Sequence, residues 1–353
     1  MDLIGEIPPG SLDIVGDVHG EIGALDDLLA HLGYADHGDH PDARRLIFVG
    51  DLVDRGPDSP AVLRRVMSLV AAGRAQCIVG NHELNLLRDV AKHGNDWWVN
   101  PAAPGEFPAA PVALDARAGL RDFLAGLPLA LERADLRIVH ACWNAGAVAM
   151  LRARQSGGAA VRELYDEYEQ RLHRRWSAGP TAAALAADWR RYGRRLRDPD
   201  WQAVLVPTMG RMDRDYQMEN PVRILTSGEE CLAAEPFWAG GRWRMVERVR
   251  WWRRYAHRTP VIVGHYWRRF SQAGTVYADK YGPDLFAGVA PHQWLGPRRN
   301  VYCVDFSVGG RYAQRAGDQP THYCSLAALR VPEWQVMHDD GRSWAIGPPG
   351  ALA

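Results

Sequence analysis

Six short apolar runs, each ending at glycine or a polar residue, set the frame: LDIVGD (12–17), RLIFVGD (45–51), QCIVGNHE (76–83), LRIVHA (136–141), PVIVGH (260–265) and VYCVDF (301–306). Runs this short and this rich in aliphatic residues read as buried strands. Helical patterns separate the first three. Ile22, Leu25, Leu28, Leu29 and Leu32 share one face, and Val62, Leu63, Val66, Leu69 and Val70 share another. The opening is therefore β-α-β-α-β, an α/β arrangement in which ligands bind beyond the carboxyl ends of the strands. Nearly all the runs place Asp, Asn or His at that end.

At 353 residues the chain can form one large α/β domain with an insertion, or two ordinary domains. Its 42 Lys and Arg balance 42 Asp and Glu, so net charge points to no particular partner. Lys92 and Lys280 are the only lysines, an arginine bias that does not by itself signal phosphate binding. Cys77, Cys142, Cys231, Cys303 and Cys324 are widely spaced and contain no C-x-x-C pair. That argues against a disulfide framework or thiolate zinc site and for a reducing, cytoplasmic setting. The opening MDLIGEIPPGSLD lacks a basic stretch followed by a long apolar one, and no segment offers the roughly 18 apolar residues of a membrane span. The expectation is a protein neither secreted nor membrane-embedded.

The alternation breaks after residue 144. Residues 145 to about 200 read as two Ala- and Arg-rich helices around SAGPT (177–181), which predicts an inserted helical cap. The expected organisation is a core half over 1–144, the cap over 145–205, and a second core half over 206–353. Residues 94 to 118, rich in proline and small residues, read as a long loop near the site entrance. HYCSLAAL (322–329) and EWQVMHDD (333–340) read as a terminal hairpin.

Asp17 and His19 are one residue apart, so in an extended turn both side chains point the same way, as metal ligands do. Taken alone, the pair is equally a helix-capping Asp beside a solvated His. In GDLVDRGPDS, Gly56 and Pro57 account for a turn but not for Asp51 and Asp54 with an arginine, Arg55. GNHE places Asn81, His82 and Glu83 at the third strand tip, where an amide oxygen can ligate a metal and an imidazole can donate a proton. Three consecutive junctions thus bring Asp17, His19, Asp51, Asn81 and His82 to one sheet edge, and later strands deliver His140 and His265. Oxygen and nitrogen donors without thiolate suit Mn, Fe, Zn or Co, and a central carboxylate can bridge two ions. A two-metal hydrolytic centre is the favoured reading.

GDVHG (16–20), GDLVDRG (50–56) and GNHE (80–83), followed by VH (139–140) and GH (264–265), closely resemble the calcineurin-like metallophosphoesterases over residues 12–142 and 258–310. The resemblance implies two mixed β-sheets packed face to face and flanked by helices, with a helical insertion near the mouth of the site. It implies one divalent ion on Asp17, His19 and Asp51 and a second on Asp51, Asn81, His140 and His265, with Mn as the expected metal and Fe, Zn, Co or Ni as others. Nuclease and cyclic-nucleotide members close with G-H-x-H, whereas here GHYW puts Trp267 in the last place. The chain looks instead like the phosphoprotein phosphatase branch, which includes the symmetrical diadenosine tetraphosphate hydrolases. Asp54 follows the protein-phosphatase spelling, which the dinucleotide hydrolases tend to lose. The SAPNYC stretch of eukaryotic Ser/Thr phosphatases has no counterpart.

On that resemblance, hydroxide bridging two cations about 4 Å apart attacks phosphorus in line. Arg55 and Asn81 face the phosphate, His82 protonates the leaving oxygen and Asp54 orients its imidazole. The expected activity is hydrolysis of phosphomonoesters, phosphoprotein esters included. Hydrolysis of dinucleoside polyphosphates or nucleotides is the alternative, and a non-catalytic nucleotide- or nucleic-acid-binding scaffold is a third reading. The expected partner is a phosphorylated substrate rather than a membrane or nucleic acid.

A second phosphate arginine is common in that branch between the two late histidines, with Arg211, Arg214, Arg223 and Arg268 as candidates and a surface role as the other reading of each. GGRWRMVERVRWWRRYAHR (240–258) interleaves basic and aromatic residues as single-strand binders do. Met245, Val249, Trp252 and Ala256 also fall at helical spacing, so an amphipathic helix is expected there. Asp305 is expected to shape the site through hydrogen bonds rather than bind metal. His31, His37, His40, His93, His257 and His322 fit no ligand position.

Overall fold

The computed structural model describes residues 2–92, 94–101, 109–155, 160–268, 284–315 and 324–351. Its strands are β1 (Ile4–Glu6), β2 (Leu12–Val15), β3 (Arg45–Phe48), β4 (Ala75–Cys77), β5 (Ala130–Arg133), β6 (Leu136–Val139), β7 (Glu230–Ala239), β8 (Arg242–Arg248), β9 (Val261–Val263), β10 (Val301–Cys303), β11 (Ala327–Val331), β12 (Gln335–His338) and β13 (Ser343–Ala345). The helices used below are α1 (Ile22–Leu32), α2 (Ser59–Ala71), α3 (Asn81–Leu87), α4 (Asp96–Val99), α5 (Ala116–Ala125), α6 (Ala145–Gln155), α7 (Val161–Trp176), α8 (Gly179–Tyr192), α9 (Pro207–Met218) and α10 (Pro221–Ser227).

Two mixed sheets form the core, in the orders β1-β5-β6-β9-β10 and β13-β12-β11-β2-β3-β4. The pleat sends alternate residues to opposite faces. Leu12, Ile14, Ile47, Leu136, Ile138, Ile262, Tyr302 and Leu329 meet in the apolar layer between the sheets. Their neighbours Val15, Leu46, Phe48, Val139, Val261, Val263 and Ala328 turn outward into a second layer under the helices. Both faces are therefore apolar, which is why the runs read as unbroken hydrophobic stretches.

Helices α1 and α2 cover the outer face with the stripes expected of them. Leu25, Leu28, Leu29 and Leu32 are buried on α1, which stops at Gly33 in a left-handed conformation (φ 92°). Val62, Leu63, Val66 and Leu69 are buried on α2, whose first turn is capped by the Asp58 carboxylate accepting from the Ala61 N–H at 2.8 Å. The terminal hairpin forms as expected: β11 pairs with β12 and, antiparallel, with β2, joining the chain's end to its first βαβ unit. Residue 322, where the hairpin reading began, lies outside the described residues, as do His93, residues 102–108 of the expected entrance loop and Lys280. The described parts of that loop include α4, which buries Trp97 and Trp98.

Between β6 and β9 the chain builds α6 to α10 and the small sheet β7-β8. Helices α7 and α8 meet at Ser177 and Ala178, and α6 precedes them. Here one expectation is corrected. Residues 240 to 258 form not an amphipathic helix but the strand β8 followed by a short 3-10 turn, Trp251–Arg254. Gly240 and Gly241 take φ of 58° and 72°, the two left-handed positions of a tight hairpin turn joining β7 to β8. Met245 still reaches an apolar cluster with Met209, by strand rather than helical periodicity.

Ile262 is fully buried between the sheets, two residues before the turn that carries His265. Ile262→Ala should lower the unfolding free energy by about 2–5 kcal/mol, through lost burial and the cavity left behind. Urea unfolding measures it.

Candidate metal centre and active site

In each sheet the strands feeding the centre run parallel: β2, β3 and β4 in one, β6, β9 and β10 in the other. Their carboxyl ends converge. β2 leads to Asp17 and His19, β3 to Asp51, β4 to Asn81 and His82, β6 to His140, β9 to His265 and β10 to Asp305. Asp17, His19, Asp51, His82, His140, His265 and Asp305 are all buried. The turns that deliver them are strained: among the described residues, seven of the eleven non-glycine residues with positive φ are His19, Asp51, Asp54, Arg55, His265, Trp267 and Ser307. Each such conformation costs about 1–3 kcal/mol and persists only where its surroundings enforce it. Close approach requires Gly80 and Gly264, since a Cβ on either would overlap the carboxylate of Asp51 or Asp17.

Two sets of donor atoms lie within 4.8 Å of one another, His19 with Asp51 and His82, and Asp51 with His140 and His265. Asp51 is common to both. Its Oδ2 stands 3.3 Å from His140 Nε2 and 3.9 Å from His19 Nε2 and His82 Nε2. Asp17 Oδ2 is 3.9 Å from His19 Nε2, and Asn81 Oδ1 is 3.3 Å from His140 Nε2. All six expected ligands therefore meet at one place. The first set includes His82, which the sequence reading assigned to proton transfer.

The chemistry of the set fits metal ions. His19 and His140 each give Nδ1 to a backbone carbonyl, of Val53 at 3.0 Å and Val49 at 2.7 Å, which turns the Nε2 lone pairs inward. His265 Nε2 is buried with no hydrogen-bond partner among the described residues. Burial, then the nearby charges of Asp305 and Asp51, push the Asp17 carboxyl well up. Burial also works against the Asp51 carboxylate, but His140, His82 and His19 outweigh it and hold the group well down. His140 is pushed up to about 10, its burial overcome by Asp51 and Asp17. Carboxylates crowded together out of water, around an imidazole nitrogen with nothing to bond, are what cations relieve.

A second group adjoins the first. His82 Nδ1 lies 2.5 Å from Asp54 Oδ2, and the other oxygen of Asp54 accepts from Trp97 Nε1 at 2.8 Å. Arg55 directs its guanidinium to His19 Nε2 at 2.8 Å and His82 Nε2 at 3.2 Å, and lies 4.6 Å over the Trp267 ring. Asp305 accepts from the backbone N–H groups of Trp267 at 2.7 Å and Ser307 at 2.8 Å, shaping the turn as expected of it.

The four arginine candidates do not reach the centre. Arg268 is buried, donating to the Ala290 and Gln293 carbonyls at 2.6 Å. Arg223 holds Glu169 at 2.9 Å, Arg214 holds Asp215 at 2.7 Å, and Arg211 lies near Thr208 at 3.3 Å. Arg248, at the end of β8, does act on the centre: after burial, its charge is the largest influence lowering the His265 pKa. Nothing in its sequence context marked it, because that depended on the β7-β8 hairpin. Glu83 is the other residue to which the sequence reading gave no role. Its fully buried carboxylate accepts from the N–H groups of Asp51 at 2.7 Å, Leu52 at 2.8 Å and Gly80 at 2.9 Å. Its position three residues into α3, after a glycine N-cap, is the sequence signature of such a cap.

Glu83→Ala leaves those three N–H groups buried without acceptors and should destabilise the fold by about 3–5 kcal/mol. Chemical unfolding measures that loss, and Glu83→Gln, which keeps one acceptor oxygen, should recover part of it.

A sequence profile of the calcineurin-like phosphoesterases matches residues 11–132. The asymmetrical bis(5'-nucleosyl)-tetraphosphatase of Oceanobacillus iheyensis is 45% identical over 80 residues, 22% of this chain and 32% of that protein. The symmetrical bis(5'-nucleosyl)-tetraphosphatase of Bordetella parapertussis is 40% identical over 132 residues, 37% of this chain and 43% of that one. The chain thus aligns with 32% and 43% of the length of these relatives. Among solved structures, a cold-active protein-tyrosine phosphatase of a psychrophilic Shewanella overlays 98% of this chain and 83% of its own, at 13% identity and a TM-score of 0.44. Motifs and converging strand ends agree with the profile, which identifies residues 11–132 as similar to the calcineurin-like phosphoesterases.

Proposed function

We propose that this protein hydrolyses dinucleoside polyphosphates of the bis(5'-nucleosyl)-tetraphosphate type at a dinuclear metal centre. The shared position of Asp51 between two donor sets carries the hydrolytic part of the reading. The substrate class rests on similarity to proteins named for that activity, over part of their length. Asp17, His19 and Asp51 would hold one divalent ion, and Asp51, Asn81, His140 and His265 the other. Manganese is the proposed metal, with Fe, Zn, Co and Ni compatible with the same donors. Bound there, the ions supply Lewis acidity towards phosphoryl oxygens and acidify water near neutral pH.

The chain's own residues do the rest. Arg55 presents two N–H groups of one rigid fork to the centre, the geometry that grips a phosphoryl group and stabilises charge on its equatorial oxygens. Asn81, beside His140, would contact the same phosphoryl group. His82 would hand a proton to the departing oxygen, with Asp54 and Trp97 fixing its imidazole. The His82–Asp54 pair favours one second reading, hydrolysis of phosphomonoesters including phosphoproteins, because an alkoxide leaving group needs that proton more than a nucleotide phosphate does.

Side-by-side assays of the manganese-loaded protein on diadenosine tetraphosphate and phosphopeptides separate the two. The proposal expects the dinucleotide to be preferred by at least about tenfold in kcat/KM. Preference for phosphopeptides establishes the second reading, and hydrolysis of neither refutes both. His82→Ala should lower kcat by about 10²–10⁴ on an alkyl phosphate and by less than about tenfold on nitrophenyl phosphate. Equal losses would remove His82 from the proton-donor role.

A further inference from the structure

The backbone of Arg55 is fixed at both ends. Its N–H donates to the Gly94 carbonyl at 3.3 Å, and its carbonyl accepts from Arg315 Nη2 at 3.3 Å, while Arg315 Nη1 donates to Glu21 at 2.6 Å. These bonds keep Arg55 in a left-handed conformation, φ 70°. The guanidinium is held differently: among the described residues it meets two imidazole nitrogens and the Trp267 ring, and pairs with no carboxylate. A guanidinium that is to bind phosphate cannot be neutralised in advance, so an uncharged group has to aim it.

Trp267 is that uncharged neighbour. Arg55 Cζ lies 4.6 Å from the ring centroid, inside the roughly 6 Å over which an aromatic face attracts a cation. The ring is carried on a fixed turn. Trp267 takes φ 55° and its N–H donates to Asp305 Oδ2 at 2.7 Å, the N–H of Arg268 donates to the Asp305 carbonyl at 2.9 Å, and the Arg268 carbonyl accepts from Ser307 Oγ at 3.0 Å. The short 3-10 turn Val308–Gly310 borders the same group of side chains. A Cβ on Gly309 would stand 2.5 Å from His19 Cδ2 and 3.2 Å from Arg55 Nη1, and one on Gly310 would stand 3.7 Å from Trp267 Cζ3. Arg55, His19 and Trp267 therefore share one tightly bounded space. Although it follows His265 by two residues, Trp267 cannot ligate an ion, because the indole nitrogen only donates.

We propose that Trp267 is a positioning residue for phosphate binding: its indole face, fixed through Asp305, holds the Arg55 guanidinium at the centre without neutralising it. The inference rests on reading Arg55 as the phosphate-gripping residue of a phosphoester hydrolase, and adds the group that aims it. A carboxylate in that place would cancel the charge, and an aliphatic side chain would fill the space without attracting a cation. The aromatic face is the feature that counts.

Calorimetric titration of inorganic phosphate into the manganese-loaded, full-length protein tests this, in a double-mutant cycle of Trp267→Leu with Arg55→Ala and with Trp267→Phe alongside. Trp267→Leu should weaken phosphate binding about three- to tenfold and Trp267→Phe by less than about twofold, since only phenylalanine keeps an aromatic face. In a chain already carrying Arg55→Ala, Trp267→Leu should weaken binding no further, because Trp267 acts through Arg55. Manganese content should match wild type in both Trp267 variants, which separates the aiming of Arg55 from damage to the ion sites. Unchanged binding in Trp267→Leu, an equal loss in Trp267→Phe, a loss of manganese, or a Trp267→Leu effect that persists in full without Arg55 overturns the proposal. The expected pattern in a protein that cleaves no dinucleoside polyphosphate upholds the role of Trp267 and refutes the proposed substrate.

Discussion

A fully buried carboxylate, Glu83, ties the exits of two neighbouring strands together by accepting from Asp51, Leu52 and Gly80. Burial and the nearby charge of Asp51 push its pKa up to about 7, so the group sits at the edge of ionisation and is held by the N–H groups it satisfies. Through it, the backbone of Asp51 is locked in a left-handed conformation, φ 49°, that an aspartate would otherwise avoid. Asp51 in turn accepts from the His82 N–H at 3.0 Å. The carboxylate common to both donor sets and the proton-donor candidate are therefore positioned by the same few hydrogen bonds.

That local lock works because the fold brings the right ends together. Two sheets with apolar layers on both faces pack so that six strands from both discharge at one place, and polar atoms there have little water to bond. Each delivered side chain is held from behind: His19 and His140 by carbonyls, Asp17 by the His265 N–H at 3.0 Å, Asp54 by Trp97. The strain of the turns is carried by the sheets beneath them. The His265 Nε2 has no hydrogen-bond partner among the described residues.

Much of this was legible in the sequence because strands and turns leave local marks. Unbroken aliphatic runs marked strands covered on both faces, and Asp17, His19, Asp51, Asn81, His82, His140 and His265 followed those runs directly. The terminal hairpin, β11 with β12, was equally plain. The stretch from 240 to 258 misled because Met245, Val249, Trp252 and Ala256 fit a helical period, while the stronger signal, two glycines between residues able to pair, went unweighted. With β8 misread, Arg248, which lies 5.8 Å from the Tyr266 ring beside His265, could not be placed near the centre. Arg268 illustrates the opposite limit: sequence order put it beside His265, but its guanidinium is consumed by the Ala290 and Gln293 carbonyls. Which way a long side chain turns depends on tertiary neighbours that spacing does not encode.

The claim on which the account rests is that Asp51 joins two ion sites into one centre. Metal analysis of the dialysed full-length protein tests it most directly, by comparing wild type with Asp51→Asn after loading with manganese. The account predicts about two ions per wild-type chain and, because both sites lose their shared ligand, fewer than one in the variant. Wild-type binding of a single ion, or undiminished binding by the variant, would contradict it.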